Sequence, residues 1–258
     1  FFGRIRSLKQ KALEEYFASE EARRGARILL ISEVAGAYLT LAADREALQL
    51  ARATLTAQQE AYELIRKRYE KGVATALDLK QAQTQADAAR VDIARYTQLA
   101  ALDENALNLL AGFPVTGDLL PETLNAVIPP REIAAGMPSE VLLKRPDILA
   151  AENLLKAAHA NIGAARAAFF PRITLTTAVG TASDQLSGLF RAGRDTWNFS
   201  SQIVLPVFDA RAWGALEATK VEREIAVAKY ERAIQTAFRE VADALAQQGT
   251  VGDELEAQ

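Results

Sequence analysis

ITLTTAVG at residues 173–180 and WNFSSQIVLPV at residues 197–207 decide the fold, because both alternate with a period of two. Ile173, Leu175, Thr177 and Val179 share one face, with Thr174, Thr176, Ala178 and Gly180 on the other. In the second stretch Trp197, Phe199, Ser201, Ile203, Leu205 and Val207 oppose Asn198, Ser200, Gln202, Val204 and Pro206. A polar, glycine-bearing segment, Ser183 to Asp195, joins them. Each ribbon is about ten residues, the length with which a tilted strand crosses a bilayer. Trp197 and Phe199 at one end and Phe208 at the other resemble an aromatic girdle. A lone hairpin cannot close its own edges in hydrocarbon, so other strands must complete it. The rival reading packs Trp197 and Phe199 in a soluble β-core. The polar alternate face speaks against it.

Upstream, the period becomes helical. Residues 4–70 are rich in Ala, Leu, Glu, Arg and Gln, all strong helix formers. Leu30, Val34, Ala37, Leu41, Asp44, Leu48, Ala51, Leu55, Gln58, Tyr62, Ile65 and Tyr69 follow at steps of three and four. Only Asp44 and Gln58 interrupt this apolar seam. Its 3.5-residue average predicts a left-handed coiled coil, and 1.5 Å per residue gives a helix roughly 100 Å long. Gly72 is expected to end it in the left-handed conformation. Thr75 and Asp78 read as a capping pair for a second helix. That helix carries the seam Leu79, Ala82, Ala86, Ala89, Ile93, Tyr96, Ala100, Asp103, Leu107 and Leu110, and ends at Gly112-Phe113-Pro114. The two form a helical hairpin.

Residues 113–138 hold five of the eight prolines and read as an irregular connection. Pro138-Ser139 is expected to open a short helix ended by Arg145-Pro146. Pro146, suited to a first helical turn, starts another helix that runs to Phe169. From Asp209 the helical pattern returns through Val221, Ile225 and Ala228, then Phe238, Val241 and Leu245.

Composition narrows the function. The net charge of −3 excludes a nucleic-acid binder that works by broad phosphate neutralisation. With no cysteine and a single histidine, His159, thiolate metal sites, multi-histidine sites and cysteine nucleophiles are excluded. His159 lies among alanines and reads as structural. No Ser/His/Asp grouping, paired-carboxylate cleft or phosphate-cradling loop is found, so neither catalytic residue nor cofactor is expected. No 18-residue apolar run is seen, so no transmembrane helix is expected. Tyr16, Tyr62, Tyr69 and Tyr96 follow helical spacing and read as packing.

A shift of 207 residues aligns the two long helices without a gap. Phe1 meets Phe208, Arg4 meets Arg211, Glu15 meets Glu222, and Glu33-Val34-Ala35 meets Glu240-Val241-Ala242. Phe1 would thus close a strand, as Phe208 does. The opening Phe1-Phe2-Gly3-Arg4 carries no signal-peptide pattern, and both ends are expected to be cut from something longer.

Several strings then resemble the TolC-type outer-membrane efflux channels, particularly the OprM-like branch. They are Arg145-Pro146-Asp147-Ile148, Asn161-Ile162-Gly163-Ala164-Ala165-Arg166-Ala167-Ala168-Phe169-Phe170-Pro171, Leu186-Ser187-Gly188-Leu189-Phe190 and Leu205-Pro206-Val207-Phe208. Residues 233–245 and the turn Arg68-Tyr69-Glu70-Lys71-Gly72-Val73 with Leu77-Asp78-Leu79 match as well. Set against the family, the chain lacks the N-terminal third, including the lipid-attachment cysteine of many members, and the tip of the second helical hairpin.

The resemblance implies a mainly α fold with a β-hairpin. Long antiparallel coiled-coil helices would build a periplasmic α-barrel, and strands would join a trimeric 12-stranded outer-membrane β-barrel. Residues 1–112 would be the periplasmic helical hairpin, 113–171 the equatorial segment, 172–208 the transmembrane hairpin, and 209–258 the start of a second long helix. It implies a passive duct in the outer membrane of a Gram-negative bacterium, serving multidrug efflux. Its partners would be two further copies, a periplasmic adaptor, an inner-membrane pump and outer-membrane lipid, with no nucleic acid.

Asp78 matches the family's tip aspartate, part of the polar network that narrows the periplasmic entrance. Leu77, beside it, stands where some members carry a polar residue. Asp78 as a helix cap alone is the competing reading, and both roles can coexist. Gly72, Val73, Ala74 and Thr75 form the turn at which the family receives its adaptor. Ile173, Leu175, Val179, Trp197, Phe199, Ile203, Leu205 and Val207 would face lipid. A soluble coiled-coil scaffold is the rival from another class. It accounts for the heptads and leaves the hairpin unexplained.

Overall fold

The structure is a computed structural model that describes residues 2–124, 127 and 139–257. Four α-helices and one two-stranded sheet account for most of them: α1 (Arg4–Glu70), α2 (Ala76–Ala111), α3 (Pro146–Arg166), β1 (Arg172–Thr181), β2 (Asp195–Val204) and α4 (Ala210–Ala257). The chain divides into two compact units, Phe1–Gly25 with Ala134–Gln258, and Ala26–Ile133.

In the second unit α1 and α2 lie antiparallel along the predicted seam. From Val34 to Ile65 every seam residue of α1 is buried or half-buried, as is every seam residue of α2. The 3.5-residue period therefore marks the real contact line. Leu41, Leu107 and Leu120 form its most buried cluster, flanked by Val34, Ala37, Tyr38, Ala100 and Val115. Leu120 follows a 3₁₀ turn at Gly117–Leu119. The segment after α2 thus contributes a core residue and is more than a connection. Arg45 fastens it, donating to the Pro121 carbonyl at 2.9 Å, while Glu46 accepts from Leu124 N–H at 3.1 Å. Residues 125–126 and 128–138, half of the expected irregular connection and with it the Pro138 helix start, lie outside the described residues.

In the first unit α3 packs on α4 and on the start of α1. Arg145 Nη2 contacts Glu240 Oε2 at 2.5 Å, and Asn161 Nδ2 donates to Glu222 at 3.2 Å, which fixes an antiparallel pairing. Gly163 admits Ser7 closely: a Cβ there would sit 2.6 Å from Ser7 Oγ. α3 continues as a 3₁₀ turn, Ala167–Phe169, and Phe169 packs edge-on against Trp213 at 5.0 Å. The helix starts at Arg4 and Ala210 agree within one residue with the 207-residue repeat.

One stretch of α1 is more apolar than the seam reading expects. α1 contains an 18-residue window of mean hydropathy 1.5, 11 % buried, apolar enough to cross a membrane by length and composition. The step-by-step seam reading overlooked it because Ile28, Leu29, Leu30 and Ile31 fall on successive sides of the helix, and each is about half exposed. The window occupies part of a 67-residue helix, where a bilayer needs about 20 residues.

Candidate functional site

At the turn between α1 and α2 the backbone ends one helix and starts the next within five residues. Gly72 adopts φ +72°, a conformation that costs a residue with a Cβ roughly 1–2 kcal/mol. There Gly72 N–H donates to the Tyr69 carbonyl at 2.9 Å and Val73 N–H to the Arg68 carbonyl at 2.8 Å. This 5→2 and 6→1 pair is a Schellman motif. Thr75 then caps α2. Its Oγ1 accepts from Asp78 N–H at 3.2 Å, and the Asp78 Oδ2 accepts from Thr75 N–H at 2.8 Å and from Thr75 Oγ1 at 2.7 Å. The capping box read from the sequence is therefore complete.

These bonds set the charge of the turn. The Thr75 backbone N–H, then its hydroxyl, then the nearby Arg68 hold the Asp78 carboxyl below its ordinary value, so it stays ionised through the mildly acidic range. Around it the turn displays apolar side chains: Val73 and Leu77 are each 66 % exposed and Tyr69 43 %. Ala74 is half-buried and Thr75 exposed. The structure thus gathers Gly72, Val73, Ala74, Thr75, Leu77 and Asp78 at one turn, with a fixed anion amid exposed apolar groups.

The strand face is built by register. Ile173 pairs with Ile203, Leu175 with Ser201, Thr177 with Phe199 and Val179 with Trp197. Directly opposed residues point the same way, so Ile173, Leu175, Val179, Trp197, Phe199 and Ile203 share one side. The other side carries Thr174 with Gln202, Thr176 with Ser200 and Ala178 with Asn198. The apolar side is uncovered: Val179 is 83 %, Trp197 77 % and Ile203 70 % exposed. Burying six such side chains is worth on the order of 10 kcal/mol.

Leu205 and Val207 are corrected, since β2 ends at Val204 and both lie past it. Pro206 has no N–H for the ladder, and Pro171 stands just before the first residue of β1, so two prolines close the sheet at the same end. Phe208, expected to close the strand, lies beyond it and is 98 % exposed.

His159 lines a groove of about 690 Å³ with Arg6, Gln10, Glu14, Lys156 and Arg223. Among the described residues no three His, Cys, Asp or Glu side chains gather as a metal site. The sequence reading passed over two polar arrangements. One is Arg145 with Asp147 and Glu240. The other is the meeting of Asp44 with Asp103, whose signal was present as the two carboxylates that break the seams.

With this geometry in hand, the comparisons are specific. A family model described as outer membrane efflux protein matches residues 1–113 and 137–258. The probable efflux pump outer membrane protein SepC of Pseudomonas putida is 50 % identical over 259 residues, covering 100 % of this chain and 54 % of the relative. The outer membrane protein OprJ of Pseudomonas aeruginosa is 45 % identical over 260 residues, 99 % of this chain and 54 % of its own length. The solved open state of the Neisseria gonorrhoeae MtrE outer membrane channel has a TM-score of 0.87 and 39 % identity, over 100 % of this chain and 58 % of that one. The chain spans about half the length of the curated relatives it matches.

Proposed function

The chain belongs to the outer membrane efflux protein family, and from that membership we propose that it supplies part of a passive export duct. The duct crosses the outer membrane of a Gram-negative bacterium and reaches into the periplasm. No chemical step is assigned to it, because the family's members are channels and not enzymes. Small molecules pass outward, driven by an inner-membrane pump and delivered through a periplasmic adaptor.

The observation that carries this reading is the two-faced ribbon, apolar on one side and polar on the other over ten residues in each strand. Ten residues at about 3.3 Å, tilted some 40°, span about 25 Å of hydrocarbon. Ile173, Leu175, Val179, Trp197, Phe199 and Ile203 face lipid in this assignment, and the threonine and serine side faces water. The ribbon's two open edges call for neighbouring strands, which three copies supply in one shared barrel. A soluble coiled-coil scaffold would leave the apolar side without a use.

Residues 1–112 serve as the periplasmic hairpin, 113–171 as the equatorial segment, 172–208 as the membrane hairpin and 209–258 as the start of a second rod. Gly72, Val73, Ala74 and Thr75 receive the adaptor, and Asp78 with Leu77 lines the periplasmic entrance. Extraction of the native protein tests the reading. It should leave membranes only with detergent, run as a trimer on native gels and form pores in planar bilayers. A monomer soluble without detergent would overturn it.

A further inference from the structure

Asp44 follows Leu41 along the α1 seam and Asp103 precedes Leu107 along the α2 seam, so the antiparallel pairing sets these two seam-breaking carboxylates opposite each other in the layer next to Leu41, Leu107 and Leu120. Among the described residues, one oxygen, Asp103 Oδ2, is buried and has no hydrogen-bond partner. A buried polar atom without a partner costs free energy, and here the facing group carries the same charge. The neighbouring guanidinium is bonded elsewhere. Arg45, adjacent to Asp44 in sequence, spends its guanidinium on the Pro121 carbonyl at 2.9 Å and on Glu104 at 3.3 Å.

Of the charged residues on these elements, α1 carries Arg45 and Glu46 next to Asp44, α2 carries Glu104 next to Asp103, and the segment after α2 carries Asp118 and Glu122. The same three residues of α1 also clasp that segment, through Arg45 to Pro121 and Glu46 to Leu124 N–H.

We propose that Asp44 and Asp103 share a proton and form a pH-operated latch on the 113–124 segment. With the proton present, one carboxyl donates to the other and the layer closes, holding Leu120 on Leu41 and Leu107. Without it, two carboxylates repel inside the seam and the clasp loosens. Burial, then the neighbouring Asp44 carboxyl, raise the Asp103 carboxyl above its ordinary value, in the direction the latch requires. The inference does not depend on the duct reading and holds for any role of the hairpin.

Hydrogen exchange of the native protein tests it, with rates corrected for intrinsic pH dependence. Protection of residues 115–124 should rise several-fold as pH falls from the alkaline side toward the ordinary aspartic range, and Asp103→Asn and Asp44→Asn should each abolish that rise. A rise that survives in both variants, or native protection that ignores pH, would overturn the latch. Should the variants fail to fold, infrared spectroscopy of the unmodified protein decides. A protonated-carboxyl band that persists well above the ordinary aspartic range supports the shared proton, and its absence removes it.

Discussion

Thr75 and Asp78 complete one another at the α1–α2 turn, each side chain bonding the other's backbone N–H, with a third bond between the side chains at 2.7 Å. One carboxylate therefore has two possible tasks, capping a helix and presenting a charge, and two substitutions separate them. Thr75→Ala removes a cap worth roughly 0.5–2 kcal/mol and leaves the charge. Asp78→Asn keeps most of the shape and removes the charge. If Asp78 narrows the entrance by charge, Asp78→Asn raises single-channel conductance in planar bilayers and Thr75→Ala does not. Equal conductance in both variants, with intact trimers, leaves Asp78 only its cap.

The same bonds predict a pH dependence. The folded carboxyl lies below its unfolded value, so its stabilising contribution is present above the unfolded value and is lost as pH falls through the folded one. Asp147, held down chiefly by Arg145, follows the same sign. Asp103 follows the opposite sign: its contribution is present below the unfolded value and lost as pH rises through the raised, folded one. Thermal melts of Asp78→Asn should accordingly lose part of the native protein's sensitivity below about pH 4, while those of Asp103→Asn should lose the sensitivity that lies above the ordinary aspartic range.

Gly72 is where the backbone, rather than a side chain, fixes the turn. Gly72→Val places a β-branched residue at φ +72°, with an expected cost of about 1–2 kcal/mol. In the proposed docking role it also obstructs the adaptor. Efflux should fall while channel abundance stays normal. Gly36→Ala, in open space within α1, is the control and should leave both unchanged.

Much of this was legible because each device is local. The seams fix α1 and α2, Gly72 fixes the turn, Thr75 and Asp78 fix the cap, and period two fixes the sheet face. What escaped the sequence depends on distant partners. Leu120 joins the core across the chain from Leu41, and Asp44 meets Asp103 only once two seams have aligned. The end of β2 was misplaced because Leu205 and Val207 keep the alternation after Pro206 has removed the ladder donor. Periodicity records which side a residue takes, and backbone hydrogen bonding decides whether there is a strand to take it.

Arg145 offers a test of how α3 is seated on α4. Its guanidinium reaches Asp147 at 2.8 Å and Glu240 at 2.5 Å, and these partners raise its pKa above the already high arginine value. The groups are partly exposed, so the coupling is modest. A double-mutant cycle with Arg145→Gln and Glu240→Gln should return about 0.5–1 kcal/mol by thermal or chemical denaturation. A coupling near zero would mean that apolar packing between α3 and α4 sets the pairing unaided.

The strand face gives the most direct contrast, because neighbouring residues of β1 answer differently to one change. Leu175 lies on the apolar side opposite Ser201, and Thr176 on the polar side opposite Ser200. If the apolar side meets hydrocarbon, Leu175→Arg costs about 2–4 kcal/mol near mid-membrane and Thr176→Arg costs little. Val207→Arg, past the end of β2, should be milder than Leu175→Arg because it falls near the interface. Heat-modifiable migration after refolding into vesicles reads all three. Equal losses from Leu175→Arg and Thr176→Arg would mean that both sides are buried in protein, and the ribbon would then belong to a packed core instead of a barrel wall.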